Sequence, residues 1–424
     1  MDVAGVAAGS KRMYGDGRER VMAVGASVAT ADGTRISGIR LILVLVVATA
    51  IGPFSMQVFL PALPAIQSSY GVSAAVAQLT FSLSALAMAV ATLFYGPVSD
   101  RVGRKKALVT GLVVFLVGSL LCAFATTITW LVIGRIVQAA GGIAGMVLSR
   151  AIVRDVYDRD QSATAIAYIT MAMVVAPMLA PAIGGVLTDL VDWTAVFLLG
   201  AALGLVVLVA VLVGLPETLV PNDRPTTASA MLADFRSLLA ERAFVGYALQ
   251  GGFSMAVFFS FLAAAPYVMI TVLERPPSEY GLMFIVVSAC FMAGNFTAAR
   301  FTRRIGIERM IVAGSVGTLI GCSLILLAVP LTWQTPWALF LPMMVVAYTQ
   351  GTAMPNSLAA VVSIKPEIAG AASGLAGFVQ MGVAAIAAQT IGSIQLGSPY
   401  PMAIGMTVCG TLMLTFALVA TRRR

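Results

Sequence analysis

The chain is 424 residues long, 59% hydrophobic and only 10% charged, with a formal net charge of +8 and a mean hydropathy of +0.97. Soluble domains carry about 25% charged residues, so this composition excludes an ordinary soluble protein and points to an all-α polytopic membrane protein. The apolar runs are continuous rather than alternating, which excludes a β-barrel.

Residues 1–38 are rich in Gly, Ala and Ser, carry scattered charge and lack an early apolar core, and so predict a disordered cytoplasmic tail rather than a cleaved signal peptide. Met13 and Met22 are alternative starts. Beyond the tail, no charge occurs from Leu41 to Ser99, Met310 to Ile364 or Ile368 to Thr421. Each of these runs holds two spans of about 20 residues, the length that crosses ~30 Å of hydrocarbon. Cutting at Pro, Gly and polar clusters predicts twelve spans: 40–62, 75–98, 106–126, 130–153, 163–188, 193–214, 243–270, 279–299, 309–329, 337–361, 368–394 and 400–421. They fall into a six-helix bundle over 39–214 and another over 243–421. Of the 26 Lys and Arg, all but Arg135 and Arg275 lie in the two tails, the even-numbered connections or the adjoining span ends. Basic loops stay in the cytoplasm, so both termini are expected there. The positive charge is thus a topology signal, not a nucleic-acid footprint.

In chain order, the first span ends in SMQVFLPALP (55–64), where Ser55 and Gln57 interrupt an apolar run. After the second span comes GPVSDRVGRKKAL (96–108). Its cations hold the loop in the cytoplasm, but topology does not require Asp100. A carboxylate at a helix junction can pair with neighbouring cations or helix ends; the alternative is a solvated basic loop. Arg135 is the one charge well inside a span, ~8 Å from its outer end at 1.5 Å per residue. A central arginine costs about 2.5–3.5 kcal/mol on insertion scales. Arg135 is read either as a cavity cation or as a side chain snorkelling to the outer interface. In the fifth span Pro177 and Pro181 sit one turn apart, followed by Gly184 and Gly185, a pattern for a bent helix with close neighbours. The connection 215–242 divides the spans six and six. Met231, Leu232, Phe235, Leu238 and Leu239 recur there at helical spacing, as in a short amphipathic surface helix or an ordinary linker element. Gln250, Phe253, Ser254, Phe258 and Tyr267 mark span 7, and Tyr348, Gln350 and Asn356 mark span 10. As a set they suit a mostly apolar ligand with a few hydrogen-bonding groups; singly, each also fits helix packing. RRIGIER (303–309) repeats DRVGRKK (100–106) half a chain later, pairing Arg101 with Arg304 and Gly103 with Gly306, as duplicated halves would. The four cysteines all fall inside spans and read as small packing residues.

The loop resembles the G-x-x-x-D-R-x-G-R-K/R signature of the major facilitator superfamily, matched at Gly96, Asp100, Arg101, Gly103, Arg104 and Lys105. FLPALP (59–64), RIVQAAGGIAG (135–145, with Arg135 and Gln138), APAIGG (180–185), RAIVRD (150–155), PN (355–356) and AGAASGLAGFVQ (369–380) resemble its drug:proton antiporter branch, in particular the bicyclomycin/chloramphenicol-resistance-like group. The glycine usual before the fifth-span proline is Ala180 here. The resemblance covers roughly residues 40–421 and implies a major facilitator fold with spans 1, 4, 7 and 10 around a central cavity. It implies a substrate cavity lined by Gln57, Phe59, Arg135, Gln138, Gln250, Phe253, Ser254, Tyr348, Gln350 and Asn356. It implies a cytoplasmic gate at Gly96, Asp100, Arg101, Gly103, Arg104, Lys105 and Asp155, with Asp100 and Arg101 pairing across it. Pro177, Pro181, Gly184 and Gly185 would form the antiporter helix.

That group usually carries an aspartate in a D-x-Y-L-P pattern at the end of span 1; here Gln57 stands for the acid and Phe59 for the tyrosine. All eighteen Asp and Glu lie in tails, connections or span ends, and glutamine cannot carry a proton. A coupling proton therefore binds elsewhere, and a cavity with a cation and no anion favours neutral, zwitterionic or anionic solutes. The implied function is secondary active transport in a bacterial inner membrane, as proton-coupled multidrug or metabolite efflux conferring antibiotic resistance. An importer or uncoupled facilitator is the alternative. The resemblance implies a monomer with no cofactor and no nucleic-acid partner, powered by a proton gradient. Without histidine, membrane acid or nucleophile motif, an enzyme is not expected, and the absence of an ATP-binding loop argues against a primary pump.

Overall fold

The computed structural model describes residues 27–29, 35–157, 159–219, 228–332, 335–394 and 398–422. Most of the expected tail and residues 220–227 of the connection between the halves lie outside these. Twelve long helices follow one another: span 1 Gly38–Val58, span 2 Ala74–Val102, span 3 Arg104–Ala123, span 4 Ile128–Val156, span 5 Arg159–Leu190 and span 6 Trp193–Gly214, then span 7 Arg242–Tyr267, span 8 Pro277–Ile305, span 9 Ile307–Thr332, span 10 Pro336–Ile364, span 11 Ala369–Ser393 and span 12 Tyr400–Thr421. Eleven are long and apolar enough to cross a membrane. Span 10, although 29 residues long, is less apolar because Tyr348, Thr349, Gln350, Thr352, Asn356 and Ser357 occupy its middle. It packs along span 9 and joins two helices that cross, so it crosses too.

Span 1 ends at Val58, short of the expected 62, and continues as a tight turn over Leu60–Ala62 and a helix Leu63–Tyr70. Pro61 is the cause: it lacks the N–H that would bond the Gln57 carbonyl one turn back. Before span 1, Ser27–Ala29 pairs antiparallel with Arg35–Ser37. A helix over Ala228–Leu239 follows the undescribed part of the connection. Its Leu238 is buried and its Phe235 packs beside Phe244, Ala372 and Leu375 of the second half, while Leu232 and Leu239 stay exposed; the side chain of Met231 lies outside the described residues.

The faint repeat has a physical basis. Gly103 ends span 2 at φ 102°, ψ 148°, and Gly306 ends span 8 at φ 96°, ψ 148°. Both backbones occupy the positive-φ region that a Cβ disfavours, so each half keeps glycine at the same sharp junction.

The burial pattern divides the molecule by depth. One apolar cluster runs through both halves at the end away from the basic loops, joining Phe59, Phe81 and Trp193 to Phe259, Tyr280 and Phe340. At the basic end the cores separate: one gathers Leu41, Leu112, Leu148 and Val211 of the first half, the other Phe244, Ile311, Val361 and Ala417 of the second. The halves meet where span 2 packs on span 11 and span 5 on span 8. At the far end the backbones of these pairs touch: a Cβ on Gly185 would strike the Pro277 carbonyl, and one on Gly281 the Pro181 carbonyl. Nearer the basic end, a Cβ on Gly370, Gly374, Gly377 or Gly382 of span 11 would meet nothing within 4 Å. The molecule is therefore sealed at the far end and parted at the basic end.

Within the first half, span 4 lies so close to span 1 that a Cβ on Gly145 would enter the Ala48 carbonyl. Gly145→Ala is expected to lower unfolding stability by about 1–3 kcal/mol, the usual cost of overpacking. Gly374→Ala, in open space, is expected to hold or raise stability by about 0.5–1 kcal/mol through helix propensity. Thermal melts of the two purified variants check the contrast.

Candidate functional site

Arg135 is 1% exposed and sits in a shell made by three helices and one aromatic face. Its Nε donates to the Thr80 carbonyl of span 2 at 3.3 Å. Its Nη1 donates to the Ser55 carbonyl of span 1 at 3.2 Å and to Gln138 Oε1 at 2.5 Å. Its Nη2 faces the Met56 sulfur at 3.6 Å, and its Cζ lies 3.9 Å from the centre of the Phe59 ring. Gln138 passes the network on, donating to Ser119 Oγ at 2.8 Å. Among the described residues, no carboxylate takes part. Carbonyl dipoles, an amide, a thioether and a π face carry the charge instead. Burial this complete rules out snorkelling to the interface. It also seals the guanidinium from any solute in this conformation.

Gln57 is buried too, but on another side of span 1. Met56 and Phe59 face Arg135, whereas Gln57 continues the helical stripe Leu43, Val46, Ala50 and Pro53, which is exposed at the basic end and closes over toward the seal. Gln57 thus stands at the head of that stripe, and its Oε1 has no hydrogen-bond partner. A buried acceptor left unpaired costs about 1–3 kcal/mol, so this carbonyl is free for a donor brought by a ligand.

In the second half, Gln250 Oε1 accepts from Ser357 Oγ at 2.6 Å, while Gln250 Nε2 is unpartnered. Gln350 donates to the Ser254 carbonyl at 2.8 Å, and Asn356 Oδ1 accepts from Thr302 at 2.9 Å. Two residues of the expected cavity set lie elsewhere. Phe253 stacks on Phe416 of span 12 at 5.6 Å and 4°, filling a packing seam. Tyr348 lies on the exposed stripe of span 10 with Trp337, Leu341 and Val345, away from the face on which Gln350 and Ser357 meet span 7. Sequence position cannot separate two faces of one helix when both carry polar or aromatic residues.

At the basic end, Arg104 is the hub. Its Nε donates to Asp155 at 2.8 Å and its Nη1 pairs with Asp100 at 2.5 Å. Its Nη1 also reaches Ser99 Oγ at 2.6 Å, and its backbone N–H donates to Glu217 Oε1 at 2.8 Å. Asp100 therefore meets Arg104 one turn on, within its own half; it does not pair with Arg101, which is exposed. Among the described residues, no ion pair joins this loop to the second half in this conformation. Gly96 faces open space, Gly103 makes the turn against the Glu217 carboxylate, and Lys105 reaches the Leu212 carbonyl at 3.0 Å. The sequence reading missed Glu217; its signal was an acid directly after span 6, beside a basic loop it can reach.

The far-end seal contains Pro181, Gly184 and Gly185, with Gly184 against the Val58 carbonyl; Pro177, one turn nearer the basic end, is half-buried. Polar contacts cross between the halves beside it. Ser82 Oγ donates to Gln389 Oε1 at 2.5 Å, Gln389 Nε2 to the Ala75 carbonyl at 3.0 Å, and the Ser278 N–H to Asp189 Oδ2 at 3.0 Å. These partners were also missed, though a lone glutamine in the small-residue stretch AAIAAQT was a visible cue.

Two six-helix halves around a sealed polar centre, parted at one end, define a membrane transporter. The chain belongs to the Major Facilitator Superfamily, whose family model matches residues 45–388. Members of that superfamily are transporters rather than enzymes, taking small-molecule substrates across the bilayer. Among curated relatives, it is 29% identical over 373 residues to a bicyclomycin resistance protein homolog of Haemophilus influenzae, covering 87% of this chain and 92% of that one. It is 27% identical over 398 residues to multidrug resistance protein D of Escherichia coli, covering 92% and 98%. These names fit the drug:proton antiporter branch. Among solved structures, the inward-open xylose transporter of E. coli matches with a TM-score of 0.72 at 15% identity over 90% of this chain and 94% of that one, a likeness of fold.

The Arg104 network gives an ordered prediction. Asp155 is 23% exposed and Asp100 44%, against 11% for Arg104. Asp155→Ala strips a buried cation of its better-shielded partner and is expected to cost about 1–3 kcal/mol. Asp100→Ala removes a more exposed partner and is expected to cost under about 1 kcal/mol. Thermal unfolding of the two single variants checks the order.

Proposed function

We propose that the protein is a secondary active transporter of a bacterial inner membrane that exports small drug-like or metabolite molecules by alternating access, powered by a proton gradient. The observation that carries this reading is the burial pattern: one core shared by both halves at the far end, two separate cores at the basic end. The concentration of Lys and Arg at the parted end supports reading it, and both termini, as cytoplasmic. The conformation is then inward-open, ready to load from the cytoplasm. We take the working unit to be a monomer. The names of the relatives support export of drug-like molecules.

The substrate class follows from charge. Arg135 keeps a positive charge in a low-dielectric interior, and among the described residues no carboxylate shares its shell. Coulomb interactions strengthen as the dielectric falls, so a lipophilic cation entering the bundle is repelled, while neutral, zwitterionic and anionic solutes are not. Gln57 Oε1 and Gln250 Nε2, buried without partners, supply an acceptor and a donor for such a solute.

The second reading, an uncoupled facilitator or importer, draws on Gln57 itself, which cannot take up a proton where the resembling group places an acid. Proteoliposomes separate the two. Bicyclomycin is expected to move uphill under an imposed pH gradient and to stop when a protonophore collapses it. Gln57→Ala is expected to preserve that coupling, and ethidium is not expected to be carried. Downhill-only movement unaffected by the protonophore supports the facilitator; robust ethidium transport contradicts the substrate class.

A further inference from the structure

Deepening the proposed substrate class and resting on it, we propose that Arg150 is the cation that receives an anionic oxygen group, a carboxylate or phosphate, of a solute entering from the basic end. Arg135 cannot do so in this conformation, because it is 1% exposed and each of its nitrogens is engaged. Arg150 lies on the same helix, fifteen residues on, or about 22 Å nearer the basic end. It is six residues from Val156, where span 4 ends, and so about 9 Å inside the bundle.

The face of Arg150 is set by its neighbours. Gly145 and Ser149 pack span 4 onto span 1, Gly145 against the Ala48 carbonyl and Ser149 Oγ on the Leu45 carbonyl at 3.2 Å. Gly141 packs it onto span 3. Arg150 is turned about 100° from Ser149, toward span 5, in line with the half-buried Met146 one turn before it. This is the depth at which the two halves have separate cores.

Its bonding is incomplete. Among the described residues its hydrogen-bonding contact is the Met173 sulfur of span 5, from Nη2 at 3.4 Å, and its Nε is buried without a partner. A thioether is a weak acceptor, and among the described residues no carboxylate meets the planar fork of this guanidinium. Among the described side chains, the nearby acids are committed: Asp155 and Asp100 to Arg104, and Glu217 to the Arg104 N–H. Arg154, one turn on and exposed, adds a second positive charge at the same mouth. An unsatisfied donor, a positive local field and an opening to one side define a site for an oxyanion. An anion bound there forms charge-assisted hydrogen bonds, about twice as strong as neutral ones.

The test uses the full purified chain in delipidated detergent micelles, with benzoate and its neutral isostere benzamide as probes and calorimetry as the readout. Wild-type protein is expected to bind benzoate about tenfold or more tightly than benzamide, the scale of one charge-assisted bond. R150Q is expected to erase that preference and R150K to keep part of it, while the thermal midpoint of R150Q stays at or above the wild-type value. A benzoate preference that survives R150Q overturns the assignment to Arg150 and leaves the proposed substrate class standing. A wild-type protein without the preference overturns both. If adding phosphatidylglycerol abolishes the preference, the ligand is a lipid headgroup and the solute assignment fails.

Discussion

An arginine buried in the membrane with no carboxylate beside it among the described residues is the constraint around which the first half is arranged. Charge at a bilayer centre is expensive, and one partner is the usual remedy. Here the cost is spread over carbonyls of spans 1 and 2, an amide of span 4, a thioether and an aromatic face. The Ser55 and Thr80 carbonyls are available only at the heights these helices now occupy. Sliding span 1 or span 2 along span 4 would withdraw a bond from a fully buried charge, so the cation fixes three helices in register. Glycine lets them come close enough, as at Gly145 against Ala48.

The same cluster reaches the seal between the halves. The Phe59 ring under Arg135 lies 6.2 Å from Phe81, and Phe81 lies 5.1 Å from Phe259 of the second half. Phe259 continues to Phe258 and Phe284. Opening the far end must part Phe81 from Phe259, along with the Ser82–Gln389 and Ser278–Asp189 bonds. The electrostatic anchor of the first half is therefore one aromatic ring away from the surface that has to separate during transport. At the other end Arg104 gathers Asp100, Asp155 and Glu217 on one side of the opening. In this conformation that network organises its own half and leaves the mouth free.

Much of this was legible in the residues. Twelve spans followed from the spacing of charges; span 1 stopped short of its expected end at Pro61, while spans 2 and 8 ran past theirs, to Val102 and Ile305. The Gly103–Gly306 correspondence was readable because a positive-φ junction tolerates little else. Arg135 announced itself as a lone charge in an apolar run. Its sealing did not, because the acceptors are mainly backbone carbonyls, which every sequence has and none displays. Phe253 and Tyr348 were misplaced because composition identifies a helix that lines a cavity but not which of its faces does so. Gln389 and Asp189 were overlooked because their partners lie hundreds of positions or a whole domain away. Arg150 was hidden by its position in a basic span end, where one more cation looks like topology.

While the protein is open at its basic end, Arg135 is a sealed, charged anchor rather than a solute-facing cation. Solid-state NMR of guanidino-15N-labelled protein in liposomes observes that side chain directly, with Arg135→Gln identifying its signals. Its guanidinium is expected to stay protonated, to exchange its hydrogens with water far more slowly than the exposed arginines, and to be unmoved when benzoate is added. Fast exchange, or a shift of the Arg135 signals on adding benzoate, would contradict it.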